Sequence, residues 1–455
     1  MKTIRQVLIT LLILLSFNKN SFAGISFKIN GEDAPKVKLL FLGFNNVNPN
    51  LQQDAFEILE RIRRNLKTTD LFEIINHAAP VAQDQSLQKT GNGINLAQES
   101  FDVEALPDFE KYSKIGVGAV VIAKFNYDKT GNLEVRLRMW DVLDERQLLG
   151  KFYNSSRDNY RKMSNVISDE IFKSITGERI GHFNSQITYV AETGPINRRA
   201  KQINIINFDG SNQRSLTSSR DLVLMPVFSK KTNEILYVKY FENRPQIFSL
   251  DLNNLRSKKV GGFRGPNLAA AVNPTDPNKI LLSAIVDSNS DIYELDIAQN
   301  VATQLTKSPA IDTTPSYSPD GKKIAFASDR DLGQQIYIMD RDGGGVRKIS
   351  SSGGSYSKPV FSPDGKLITF TKIKGGEFFI GIMQDDGSNE KMLSSGYLVE
   401  GAKFSPNGRY VIFSKKKGPY SKDSIPRLRV VDIITGFEFE IPTKEGEGAV
   451  DPDWS

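Results

Sequence analysis

Three near-identical tetrapeptides, Ser318-Pro319-Asp320-Gly321, Ser362-Pro363-Asp364-Gly365 and Ser405-Pro406-Asn407-Gly408, stand 44 and 43 residues apart. Each follows an aromatic residue (Tyr317, Phe361, Phe404) and precedes an apolar run of strand character. A period in the low forties with four strand-like runs per unit specifies a β-propeller, because one such unit cannot bury its apolar faces alone. Aligned on the residue after each first strand, the series extends to Ser229, Asn273, Ser318, Ser362 and Ser405, which makes five units. Second strands follow at Ile235–Lys239, Ile280–Ala284, Ile324–Ser328, Leu367–Thr371 and Tyr410–Ser414. Third strands follow at Gln246–Asp251, Asp291–Asp296, Gln335–Asp340, Phe378–Gln384 and Arg427–Asp432. Asp209-Gly210, Asp342-Gly343 and Asp386-Gly387 mark tight third-to-fourth turns.

Two loose ends remain. Residues 187–217 carry second, third and fourth strands without a first. The chain stops at Val450-Asp451-Pro452-Asp453-Trp454-Ser455, which has the proline, aromatic and serine of a first strand. Pairing the two completes a sixth blade and removes two sheet edges at once. The expected fold is an α/β N-terminal domain followed by an all-β six-bladed propeller closed by the C-terminal strand, over 36–181 and 182–455.

Ahead of the propeller the chain does not repeat. Val37–Leu42 reads as a buried strand. Leu51, Ala55, Ile58, Leu59, Ile62 and Leu66 recur at helical spacing, and Leu71–Ile75 is a second strand. Residues 81–100 are polar and read as a long loop. Gly118–Tyr127 and Leu133–Trp140 form a hairpin, Gln147–Tyr153 adds a strand, and Tyr160 to Ile175 traces an amphipathic helix capped at Gly177. Residues 1–23 have the pattern of a secretory leader: Lys2 and Arg5, a largely apolar run from Val7 to Phe17, and small residues at Ser21 and Ala23. The run is too short to span a bilayer, and no direct membrane insertion is expected. The formal net charge of +6 falls when the leader is removed, leaving 56 basic against 53 acidic residues. Such a balance describes a solvated surface, and no nucleic-acid partner is expected. There is no cysteine, hence no disulfide and no lipidated N-terminal cysteine.

Catalytic signals are sparse. The two histidines, His77 and His182, stand at a strand end and in the linker between domains. No Gly-x-Ser-x-Gly elbow and no His-Glu-x-x-His pattern occurs. Turns such as Asp340-Arg341-Asp342-Gly343 do not fit the twelve-residue calcium loop. No catalytic residue, no metal and no cofactor is expected. Two binding elements stand out instead. Gly24-Ile25-Ser26-Phe27-Lys28-Ile29-Asn30 alternates apolar and polar residues ahead of a Gly31–Pro35 hinge, as a strand that can leave or join a sheet edge. First strands line a propeller's channel, so the loops leading into them share one face with the second-to-third-strand loops. The lead-in loops carry Asn267, Asp312, Thr313, Thr314, Ser355, Tyr356, Ser357 and Glu400. The other loops are rich in cations: Arg198, Arg199, Lys201, Arg244, Arg330, Lys372, Lys374 and Lys415 to Lys417.

Leader, α/β domain, linker at Gly177–Thr188 and Ser-Pro-Asp-Gly propeller, in that order, resemble the TolB family of the Tol–Pal system. Glu170 to Gly177 followed by Ile187-Thr188-Tyr189-Val190 looks like the family's domain junction. The chain departs from the family pattern at Ser229-Lys230-Lys231-Thr232 and Asn273-Pro274-Thr275-Asp276, which lack the usual turn. The resemblance implies a monomeric periplasmic adaptor supporting outer-membrane integrity and constriction at division. It implies two partners, a Pal-type peptidoglycan-associated lipoprotein and a TolA-type inner-membrane protein. By the resemblance, Pal-type contacts fall on the loops that match Ala269 and Thr313, so the expected Pal-type site on the channel face comprises Asn267, Ala269, Asp312, Thr313, Thr314, Tyr356, Glu400 and Arg330. TolA-type contacts fall on Gly24 to Asn30: Gly24, Ile25, Ser26, Phe27, Lys28, Ile29 and Asn30. The rival expectation is an enzyme, a propeller-containing periplasmic hydrolase of peptidase type.

Overall fold

The computed structural model describes residues 35–42, 49–76, 102–195, 198–261, 267–351, 353–418 and 425–455. The expected leader, the strand Gly24–Asn30, its hinge, His77 and the loop 81–100 lie outside the described residues. Helix α1 (Pro49–Lys67) follows β1 (Val37–Leu42), and Pro49 occupies the first helical position, where its missing N–H costs no bond. A five-stranded sheet has the order β2 (Phe72–Asn76), β1, β3 (Ala119–Tyr127), β4 (Leu133–Asp141) and β5 (Arg146–Ser155). β1 runs parallel to both of its neighbours and is buried on both faces, which is why its sequence is nearly all apolar.

One face of this sheet packs against α1 and the long helix Tyr160–Thr176. The helices are locked together by Asn65, whose amide donates to Asn165 at 2.9 Å and Ser168 at 3.1 Å. The other face is covered by α2 (Phe109–Lys114), the helix that the sequence reading missed. At six residues α2 is too short to show a helical period, and it is held by its Asp108 cap and the burial of Tyr112. The long helix, α3, ends at Gly177 with φ +75, the left-handed residue expected there.

The remaining strands form six four-stranded blades. Blade one combines the final strand Gly448–Trp454 with Gln186–Thr193, Ala200–Asn207 and Arg214–Ser215, so chain closure takes the expected form. Blades two to six begin at Val223, Asn267, Asp312, Ser355 and Leu398. The three tetrapeptide turns are built identically. Ser318, Ser362 and Ser405 each donate to the acidic or amide side chain two residues on, at 2.6 Å, and each accepts a backbone N–H five residues on, at 2.9 Å. Asn273 replaces this with its own carbonyl, accepting from Thr275 and Asp276, so blade three turns by a different bond set. Among the described residues no helix is long and apolar enough to cross a membrane.

Candidate functional site

The α/β domain meets the propeller on the face that carries the first-to-second and third-to-fourth turns. Topology requires this, because the linker feeds directly into the second strand of blade one. Asp169 on α3 clasps the linker, accepting backbone N–H bonds from His182 (2.7 Å), Phe183 (2.8 Å) and Asn184 (3.1 Å). Glu178 accepts from Asn407 at 2.6 Å and Arg409 at 3.2 Å in blade six, and Arg409 also donates to the fully buried Asp432 at 2.8 Å. Arg61 on α1 pairs with Asp209 in a third-to-fourth turn. His182 is sealed among the rings of Phe172, Phe183, Phe208 and Tyr410, with centroids 4.1 to 5.1 Å away. Phe172, Phe183, Phe208, Tyr410 and Trp454 belong to the same apolar core as α1 and α3, so the two domains share one core.

The opposite face therefore stands clear of the described residues of the α/β domain. Behind it lies the channel, lined by the six first strands. Every one of these strands slips register against its second strand. At the slip Met225, Thr314, Lys358, Gly401 and Asp451 have φ between +48 and +72, and four of the five precede a proline. In blade three the slip falls at Ala269. Proline has no N–H for the ladder, and the left-handed residue before it bends the strand into a bulge. A cavity of about 420 Å³ runs from these bulges to Pro274, Pro319 and Pro363 in the turns. Lys358 bridges channel carboxylates of two other blades, Glu400 at 2.8 Å and Asp451 at 3.6 Å, and Lys403 pairs with Asp453 at 3.6 Å. Burial opposes the charge on Lys358, but Asp451 and Glu400 outweigh it and hold the ammonium above the usual lysine range.

The expected Pal-type residues distribute unevenly over this face. Asp312, Thr313, Thr314, Tyr356 and Glu400 lie in the first strands themselves, not in loops ahead of them. Asn267 and Ala269 lie in the first strand of blade three. Asp312 is fully buried and takes two bonds of 3.0 Å from Arg330, whose guanidinium also sits over Phe326 and Tyr337. Thr314 donates its N–H to Ser283 at 3.1 Å, and Thr313 is half-buried at the strand start. Tyr356 is sunk in a core, its hydroxyl bonded to Glu390 at 2.9 Å, so it supports the face from beneath. Glu400 faces Lys358 in the channel.

The cation excess read from the loops is largely answered within the protein. Arg199 and Lys201 pair with Glu192, Lys372 with Glu390, and Lys415 with Glu438, while Arg198, Lys374 and Lys417 are exposed. The sequence reading missed Lys358, Lys403, Asp451 and Asp453. The recurring x-Pro dipeptide in the first strands was the signal that could have found the ring they sit on. It also missed the joint of Glu178, Arg409 and Asp432, because Glu178 and Arg409 are 231 residues apart and their pairing carries no local signature.

Residues 172–455 match the family profile described as TolB beta propeller domain, and residues 27–148 match that of the TolB amino-terminal domain. The crystal structure of TolB from Acinetobacter baumannii superposes with a TM-score of 0.77 at 24% identity, covering 92% of this chain and 96% of that one, which shows a shared fold. An oligogalacturonate lyase from Vibrio parahaemolyticus matches at TM-score 0.40 and 15% identity over 54% of this chain and 74% of that one, too distant a likeness to bear on function. With the propeller profile spanning more than half of the sequence, and the amino-terminal profile preceding it in the order the fold requires, this chain belongs to the TolB family.

Proposed function

We propose that the protein is a non-enzymatic periplasmic adaptor of a Tol–Pal envelope system. It binds a Pal-type lipoprotein on the channel face and a TolA-type protein through Gly24–Asn30, and so supports outer-membrane integrity and constriction at division. The observation that carries this reading is the direction of docking: the α/β domain occupies the turn face and leaves the channel face open to a partner. The leader pattern of residues 1–23 supports export. His182 is closed off by four aromatic rings and offers nothing to a substrate. A large preformed face suits tight binding, because few groups must be ordered when the partner arrives.

Calorimetric titration of the exported protein with the soluble domain of a Pal-type lipoprotein from the same cell tests the reading. Thr313→Lys and Ala269→Asp should each weaken binding tenfold or more while the thermal midpoint stays unchanged. Identical isotherms for wild type and both variants would remove these residues from the site, and a wild type that does not bind would overturn the reading itself.

A further inference from the structure

The loop Asp329–Gln334 of blade four differs from the described counterparts in blades two, three and five. Blades two, three and five cross from second to third strand on left-handed residues that are polar or glycine: Glu242-Asn243, Asp287-Ser288 and Gly375-Gly376. Blade four crosses on the pair Leu332-Gly333, with φ +49 and +135, so the first of its two positions holds a leucine. A leucine there is conformationally costly, since its Cβ crowds the backbone in this region. No burial offsets that cost: Leu332 is 107% exposed, the most exposed large apolar residue among those described.

The loop beneath it is braced by side-chain bonds. Arg330 is fixed by Asp312, by Ser328 at 2.9 Å and by the two rings it covers. Asp331 pairs with Lys348 at 3.2 Å, and Asp329 accepts the N–H of Ile311 at 2.7 Å. Ile311 is 54% exposed and directly precedes Asp312 and Thr313. Tyr240, Phe241 and Tyr397, also exposed, lie at loops of the same face. A strained and fully exposed apolar tip on a braced loop beside a preformed face has the properties of a binding anchor, because only its own side-chain rotamers remain to be ordered when it fills a pocket.

We propose that Leu332, flanked by Ile311, is the apolar anchor of the channel face. It inserts into an apolar pocket on the folded protein that docks there. This rests on the reading above, under which that protein is the Pal-type lipoprotein. The site continues without a break from Ile311 into Asp312 and Thr313, and the described part of the α/β domain, docked on the other face, does not cover it.

The backbone provides a clean test. Asparagine tolerates the left-handed region better than leucine, so Leu332→Asn should fold at least as stably as wild type while losing the anchor. Titration of the full exported chain with the soluble Pal-type domain should show binding at least tenfold weaker for Leu332→Asn and within threefold of wild type for Leu332→Met. Wild-type binding with no loss in Leu332→Asn would overturn the anchor and leave the proposed function standing. No binding by wild type would overturn both. Sedimentation would expose the competing role: a wild-type dimer dissolved by Leu332→Asn, with Pal-type binding unchanged, would make Leu332 a self-association contact and overturn the proposal.

Discussion

His182 illustrates how far packing can take a residue from its solution chemistry. Burial, reinforced by the Arg409 charge, pushes its imidazole down to about 3. Its Nε2 has no hydrogen-bond partner. The unfolded chain takes up a proton as pH falls through about 6.5, whereas the folded chain refuses it until about 3. The stability contributed by the neutral ring is therefore complete above pH 6.5 and is lost progressively as pH falls toward 3. Glu178 works the other way, because burial raises its carboxyl despite the opposing Arg409. A comparison isolates the histidine. Between pH 6.5 and 5, wild type should lose about 2 kcal/mol more than His182→Gln, read from urea midpoints. Parallel losses in the two proteins would show that His182 is not the titrating group.

At the scale of elements, the first strands do two jobs. Their outer ends pair regularly, and their proline bulges bend the chain around the channel. The C-terminal strand does a third, since it supplies the first strand of blade one. Trp454 is 3% exposed, lies at a 5.6 Å ring separation on Phe208, and donates to Ser185 in the linker. Closure of the ring and docking of the α/β domain therefore meet at one side chain. Deleting Asp451–Ser455 should destabilise the protein by at least about 3–5 kcal/mol, the usual cost of removing a buried tryptophan, and should open two strand edges. A denaturant midpoint equal to that of the full chain would show that the ring closes by other contacts.

For the molecule as a whole, the shared core fixes the two domains in one orientation, and that orientation separates two surfaces. The channel face looks away from the described part of the α/β domain, while Gly24–Asn30 precedes β1 of that domain in the sequence. Two partners addressed to these places need not compete for the same atoms. Any coupling between them would act through the contacts between the domains, among them the shared core, the Arg61–Asp209 pair and the joint of Glu178, Arg409 and Asp432, or through the segment itself, by favouring one of two states. Removal of Gly24–Asn30 should abolish binding to a TolA-type domain and leave Pal-type binding within about threefold, a change of less than 1 kcal/mol. Surface-immobilised binding of both partners would check this, and intact TolA-type binding would reduce the segment to an edge strand.

The sequence by itself determined the blade count, the ring closure, the α/β order and the capped end of α3. Each rests on local periodicity or on turn chemistry that repeats: Ser318, Ser362 and Ser405 make the same bonds because the same four-residue problem recurs. The short helix at Phe109 was illegible because one turn and a half has no period. The site was legible only as a face. Which side chains reach it depends on strand twist and on register slips, and these buried Tyr356, paired Asp312 with Arg330 and drew Lys358 across the channel. The left-handed Leu332 and the Glu178–Arg409 joint were decided by tertiary structure alone. Backbone strain and contacts between distant residues are properties of the packed chain, and no short window of sequence records them.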